Sequence, residues 1–177
     1  SIAFYVILRR FMGQAARHRG GELLQVTISV GGRTQVVTAL HDTGNTLRDP
    51  VSGCPALVLE RRAAETLWTP EVAQVLAESA APEEKMARLH RIGCPVRFTL
   101  LPFRAVGTDA GLLLAARSDY IEVNGRRYPR TPVALSEQPV SDGGGYHALW
   151  GAEERGEAHG KAASVAEEPV AQRMQAG

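Results

Sequence analysis

"ALHDTGNTLRDP", residues 39–50, sets an acidic residue, a hydroxyl residue and a glycine directly behind an apolar, strand-like run. Two readings of Asp42-Thr43-Gly44 compete. In one, Asp42 and Thr43 make the local hydrogen bonds of an ordinary turn. In the other, Asp42 is half of a catalytic pair: its carboxylate holds or releases a proton to activate water, Thr43 braces the loop, and Gly44 lets backbone and substrate approach closely. The tripeptide alone decides nothing, because average residue usage produces it in roughly a few per cent of chains this long. Its surroundings favour the second reading. The triplet ends a β-branched strand and is followed by a turn and a second apolar strand.

Upstream, "LLQVTISV", a Gly31-Gly32 turn and "TQVVTAL" read as a hairpin whose second strand delivers Asp42. Downstream, Asp49, Pro50, Ser52 and Gly53 form a turn before "PALVLE" resumes as a strand. Residues 61–92 change character to Ala, Glu, Leu and Arg. Thr69-Pro70-Glu71 and Pro82-Glu83-Glu84 are helix starts there, so the composition predicts two short helices inserted between strands. β character returns at "CPVRFTLLPFRAV", breaks at "GTDAG", and continues through "LLLAARSDYIEV", an Asn124-Gly125 hairpin turn and "RRYPRTPVAL". A glycine turn at 143–145 precedes "YHALWG". The expected fold class is mainly β, with short helical insertions.

The whole chain has 177 residues, enough for one core but hardly two domains. Its formal charge of +1 makes no field that would argue for nucleic acid. Cys54 and Cys94 form no C-x-x-C pair and cannot staple a secreted scaffold, so a reducing compartment is the default. "SIAFYVIL", followed by Arg9 and Arg10, is too short to span a bilayer, which takes about 20 apolar residues. It reads equally as the last turns of a span that starts earlier, with arginines on the cytoplasmic side, or as a short amphipathic or core helix. The expected division is 1–20 as the end of a span and a basic linker, 21–151 as the main folded domain, and 152–177 as a disordered or loosely helical tail with little to bury.

Peptide hydrolysis by carboxylates needs two of them sharing a proton, one acting as base toward water while the other donates to the carbonyl. A second D-[ST]-G is absent: Asp142-Gly143 and Asp109-Ala110-Gly111 lack the middle hydroxyl. If this chemistry operates, the second aspartate comes from another copy, which implies a symmetric homodimer.

"ALHDTGNTLRDPVSGCPALVLE", "LPFRAVGTDAGLLLAARSDYIEVNG" and "YHALWG" together resemble the sporulation sigma-E factor-processing peptidases of endospore-forming bacteria. These are membrane-anchored aspartic peptidases with a soluble part similar to retroviral proteases. The resemblance covers roughly residues 22–151. It implies a closed, retroviral-protease-like β domain with catalytic Asp42 in a loop completed by Thr43 and Gly44. Val106, Gly107, Thr108, Asp109, Ala110 and Gly111 match the substrate-covering flap, with an ordinary hairpin turn as the alternative. "ALWG", residues 148–151, resembles the apolar pair and glycine that support the catalytic loop from behind. The resemblance further implies a sigma factor precursor as substrate, a forespore signalling protein as partner, and a mother-cell membrane location with the peptidase part cytoplasmic. It implies water as nucleophile, with no metal or cofactor. A binding module of the same fold, holding the precursor without cutting it, is the rival class.

One departure is His41, where this family usually has an aliphatic residue. Strand alternation points His41 and Asp42 to opposite faces, which favours a strand-end residue over a perturber of Asp42. His41, Cys54, His90 and Cys94 make a poor zinc tetrad, since only the last two are close in sequence and Gly93 and Pro95 break any helix aligning them. No G-x-S-x-G elbow or Walker-type phosphate loop is present.

Overall fold

The computed structural model describes residues 21–42, 44, 45, 47–103, 111–141 and 143–151. The expected termini at 1–20 and 152–177, along with Thr43 and residues 106–110 of the flap match, lie outside the described residues. β1 (Leu23–Val30) and β2 (Arg33–His41) form the hairpin predicted around Gly31-Gly32, with Leu23 opposite Leu40 and Val30 opposite Arg33. β3 (Leu57–Glu60) follows the Asp42 loop. The inserted segment then forms a 3-10 helix (Arg61–Leu67), α1 (Pro70–Ala77) and α2 (Pro82–Arg91). Both α-helices start where the sequence indicates: Thr69 caps α1 through its hydroxyl, which accepts from Val72 N–H at 3.4 Å, and Pro82 opens α2. The 3-10 helix ahead of them was not anticipated.

β4 (Phe98–Phe103), β5 (Gly111–Arg117), β6 (Tyr120–Val123), β7 (Arg126–Pro129), β8 (Pro132–Ser136) and β9 (Ala148–Trp150) complete the chain. Asn124 (φ 50°) and Gly125 (φ 76°) make the β6–β7 turn, both left-handed as a two-residue hairpin loop of the primed type requires. All nine strands join one sheet in the order β4-β5-β8-β3-β9-β2-β1-β6-β7. Two pairings are parallel, β2 with β9 and β3 with β8; the others are antiparallel. The short β9 therefore fills the gap between β2 and β3, the two strands that flank the Asp42 loop. The protein is mainly β, as the sequence indicates.

Side-chain alternation gives the sheet two apolar faces. Leu24, Val26, Ile28, Val37, Leu57, Leu114, Val133 and Trp150 face the helices, where Leu67, Trp68, Val72, Leu76 and Leu89 close the main core. The intervening residues form two smaller clusters on the opposite face. One is Leu40, Val58, Val140 and Leu149; the other is Ala56, Leu101, Leu113, Ala115 and Ala134. Leu47, five residues after Asp42, packs against both. The Asp42 loop thus lies across the second face, away from the helices.

Candidate active site

Asp42 stands one residue beyond β2. Its N–H donates to Trp150 O at 2.8 Å, carrying the parallel β2–β9 ladder past its last pair, His41 with Trp150. Asn45 N–H donates to Asp42 O at 3.0 Å and closes the turn, while Gly44 N–H donates to Asp42 Oδ1 at 2.9 Å. These bonds are those of an aspartate turn. They also fix the carboxylate in direction, since one oxygen is held by Gly44 N–H. Asp42 is only 8% exposed. A carboxylate that merely decorated a surface turn would sit in water; aspartate is rarely so enclosed without a partner or a task.

Two residues brace this turn, one belonging to it and one from behind. Asn45 Nδ2 donates to Ala56 O at 3.2 Å, and Asn45 Oδ1 accepts from Leu47 N–H at 3.1 Å. Gly151 approaches from behind: a Cβ at that position would lie 2.6 Å from Asn45 O and 2.7 Å from Asp42 O. The end of β9 reaches the loop this closely only because residue 151 has no side chain. Supporting contact from residues 148–151 matches the sequence reading. Asn45 does not figure there, because an asparagine after Gly44 signals a turn former and nothing more; its second partner, Ala56, becomes visible only once β3 is placed.

Beyond Leu47, a bridge between Arg48 and Pro55 sets up a tight reversal. Asp49 organises it, accepting from Val51 N–H at 3.0 Å through Oδ1 and from the Ser52 hydroxyl at 2.8 Å through Oδ2. Those donors, Val51 N–H first, hold the Asp49 carboxyl below its ordinary range. Ala56 N–H donates to Leu47 O at 2.9 Å, closing the reversal onto the start of β3.

The remaining candidates fall in different places. His41 is partly buried on the opposite side of β2 from Leu40, and its N–H donates to Glu22 O at 2.8 Å. Gly111, the one flap-match residue within the described set, begins β5 opposite Phe103. Among the described residues, no three His, Cys, Asp or Glu side chains gather as a metal site. A cleft of about 410 Å³ opens between the helices and the β4–β5 ends, lined by residues including Leu76, Lys85, Phe103, Leu114 and Glu137. None of the cleft's lining residues belongs to the Asp42 loop.

Residues 1–153 match the family described as sporulation factor SpoIIGA, peptidase U4. The chain belongs to this family. A candidate sporulation sigma factor-processing peptidase from Bacillus thuringiensis subsp. kurstaki is 24% identical over 135 residues, covering 72% of this chain and 81% of that one. No solved structure matches the chain. Membership makes the protein a peptidase of the sporulation sigma factor-processing type. The SpoIIGA match takes in the whole Asp42 loop, β3 and the Gly151 support. Among the described residues, no helix is long and apolar enough to cross a membrane.

Proposed function

We propose that the protein is an aspartic endopeptidase acting as a homodimer, with Asp42 of each protomer facing its counterpart across a twofold axis. The observation that carries this reading is the enclosed Asp42 carboxylate at the end of β2, oriented by Gly44 N–H and backed by Trp150 and Gly151. One such carboxylate gives half of an acid–base pair. Two at close range cannot both ionise freely, so one stays protonated and donates to the scissile carbonyl while the other takes a proton from water. Water attacks the carbonyl carbon, the amide C–N bond breaks, and the proton returns to the leaving amine.

The substrate in this reading is a sporulation sigma factor precursor, sigma E by resemblance, cut to release its N-terminal pro-segment. Thr43 completes the catalytic loop and residues 106–111 cover the substrate. A forespore signalling protein switches the enzyme on, and a preceding membrane segment holds it at the mother-cell membrane with the peptidase domain cytoplasmic. Family membership and the likeness to the Bacillus thuringiensis relative support the substrate class.

Replacing Asp42 by Asn keeps the turn's acceptor oxygen and removes the titrating group. Cleavage of a purified sigma factor precursor should fall to background while the far-UV circular dichroism and melting temperature stay near wild type. Full cleavage by the folded variant would sink the aspartic mechanism and leave a binding role for the loop.

A further inference from the structure

Among the described residues, Asn45 is the side chain that ties the Asp42 turn to the residue leading into the strand that follows it. Its amide works in two directions, with Nδ2 donating to Ala56 O and Oδ1 accepting from Leu47 N–H. Its backbone works in a third, since Asn45 N–H closes the turn on Asp42 O at 3.0 Å. Its carbonyl oxygen and Cβ also form the surface against which Gly151 packs, with no room for a methyl group between them. Ala56 is fully buried in the cluster that Leu47 covers, so the anchor point is rigid. A shift of Asn45 therefore moves Asp42 O, the Gly44 N–H that orients Oδ1, and the contact with β9 together. Serine at this position could accept from Leu47 N–H but is too short to reach Ala56 O. Aspartate could also accept, but would set a carboxylate oxygen against the Ala56 carbonyl.

We infer that Asn45 is a positioning residue for peptide hydrolysis: its side-chain amide, bridging Leu47 N–H and Ala56 O, sets where the Asp42 carboxylate stands relative to the carboxylate it must pair with. The inference rests on the aspartic, dimeric reading above. It concerns geometry in the catalytic step, so the effect falls on kcat and not on substrate affinity.

The test measures kcat and KM for cleavage of a purified sigma factor precursor by the Asn45→Ala, Asn45→Ser and Asn45→Asp proteins, each well below its own melting temperature. A misplacement of about 1 Å costs up to roughly 100-fold in rate, so Asn45→Ala should lose about 10- to 100-fold in kcat with KM nearly unchanged. Asn45→Ser should recover part of the loss, and Asn45→Asp should be no better than alanine. The pH–rate profile should change shape in the alanine variant, because carboxylates held further apart share a proton less readily. A residue that only stabilised the fold would lower the melting temperature and leave both kcat per folded molecule and the profile's shape unchanged. That result, or a loss confined to KM, overturns the inference. Should Asn45→Ala not fold, the serine and aspartate variants decide by the same criteria. Asp42→Asn runs alongside: activity in that variant sinks the aspartic reading itself. An inactive Asp42→Asn beside wild-type kinetics for every Asn45 variant sinks only the role given to Asn45.

Discussion

An alanine at position 151 would place its Cβ 2.6 Å from Asn45 O and 2.7 Å from Asp42 O, so either the end of β9 or the Asp42 turn must give way. Overpacking of this kind costs about 1–3 kcal/mol, and we expect Gly151→Ala to lower the melting temperature accordingly. Cleavage should suffer more than stability, because the atoms displaced are those that fix Asp42; precursor cleavage by the folded variant at low temperature checks this. Asp42 and Gly151 were legible in the sequence because each carries its own local signature, one in Asp-Thr-Gly and the other in "ALWG". Asn45 was not. Its partner Leu47 is local, but Ala56 and Gly151 reach it only through the placement of β3 and β9, and no spacing rule in one chain encodes that placement.

Between β8 and the inserted helices, one carboxylate joins three elements. Glu137 accepts from Lys85 Nζ of α2 at 2.5 Å and from Arg61 Nε of the 3-10 helix at 2.7 Å, while Lys85 Nζ also donates to Leu76 O of α1 at 2.8 Å. Burial alone would push the Glu137 carboxyl up, but the hydrogen bonds and charges of Lys85 and Arg61 outweigh it and hold the group below its usual 4.5. A depressed carboxyl pKa stabilises the fold above the unfolded value and loses that contribution as pH falls through the folded one. Glu137→Gln should therefore be less stable than wild type at neutral pH, and the gap should close as the pH falls through the lowered folded-state pKa of Glu137. The Glu137 side chain is 49% exposed, so screening discounts its own share, but that of Lys85 is 5% exposed and loses its charged partner in the variant. The neutral-pH gap should therefore be at least on the order of 1 kcal/mol; urea titrations of both proteins at several pH values read it. Elements with local punctuation were read correctly from sequence, among them the β1–β2 hairpin, the Thr69-Pro70 and Pro82 helix starts and the Asn124-Gly125 turn. The β-rich run 112–123 hides a change of partner instead. β5 pairs with β8 while β6 pairs with β1, and the break falls at Ser118 and Asp119, where Asp119 accepts from the Ser29 hydroxyl and Gly32 N–H, both at 3.0 Å. A second hidden corner is Arg130, at φ 53°, which separates β7 from β8. Both corners answer to strands far off in sequence.

At the scale of the whole molecule, the parallel β2–β9 and β3–β8 pairings gather one Asp42 loop on one sheet face. The sequence supplies no second D-[ST]-G to complete the pair. The proposed dimer turns this into a stoichiometric prediction. If each catalytic centre takes one Asp42 from each of two protomers, an inactive protomer silences any wild-type protomer it pairs with. Wild-type and Asp42→Asn proteins, mixed in equal amounts and allowed to exchange, should retain about one quarter of the wild-type cleavage rate, because only wild-type pairs hold both titrating groups. Independent catalytic protomers would retain about half. Total protein is held constant across the mixing series, so mass action on the monomer–dimer balance is the same in every sample. A rate that falls with the square of the wild-type fraction supports a shared site. A linear fall would place complete catalysis within one chain, and the lone, enclosed Asp42 would then need a proton partner other than its own copy.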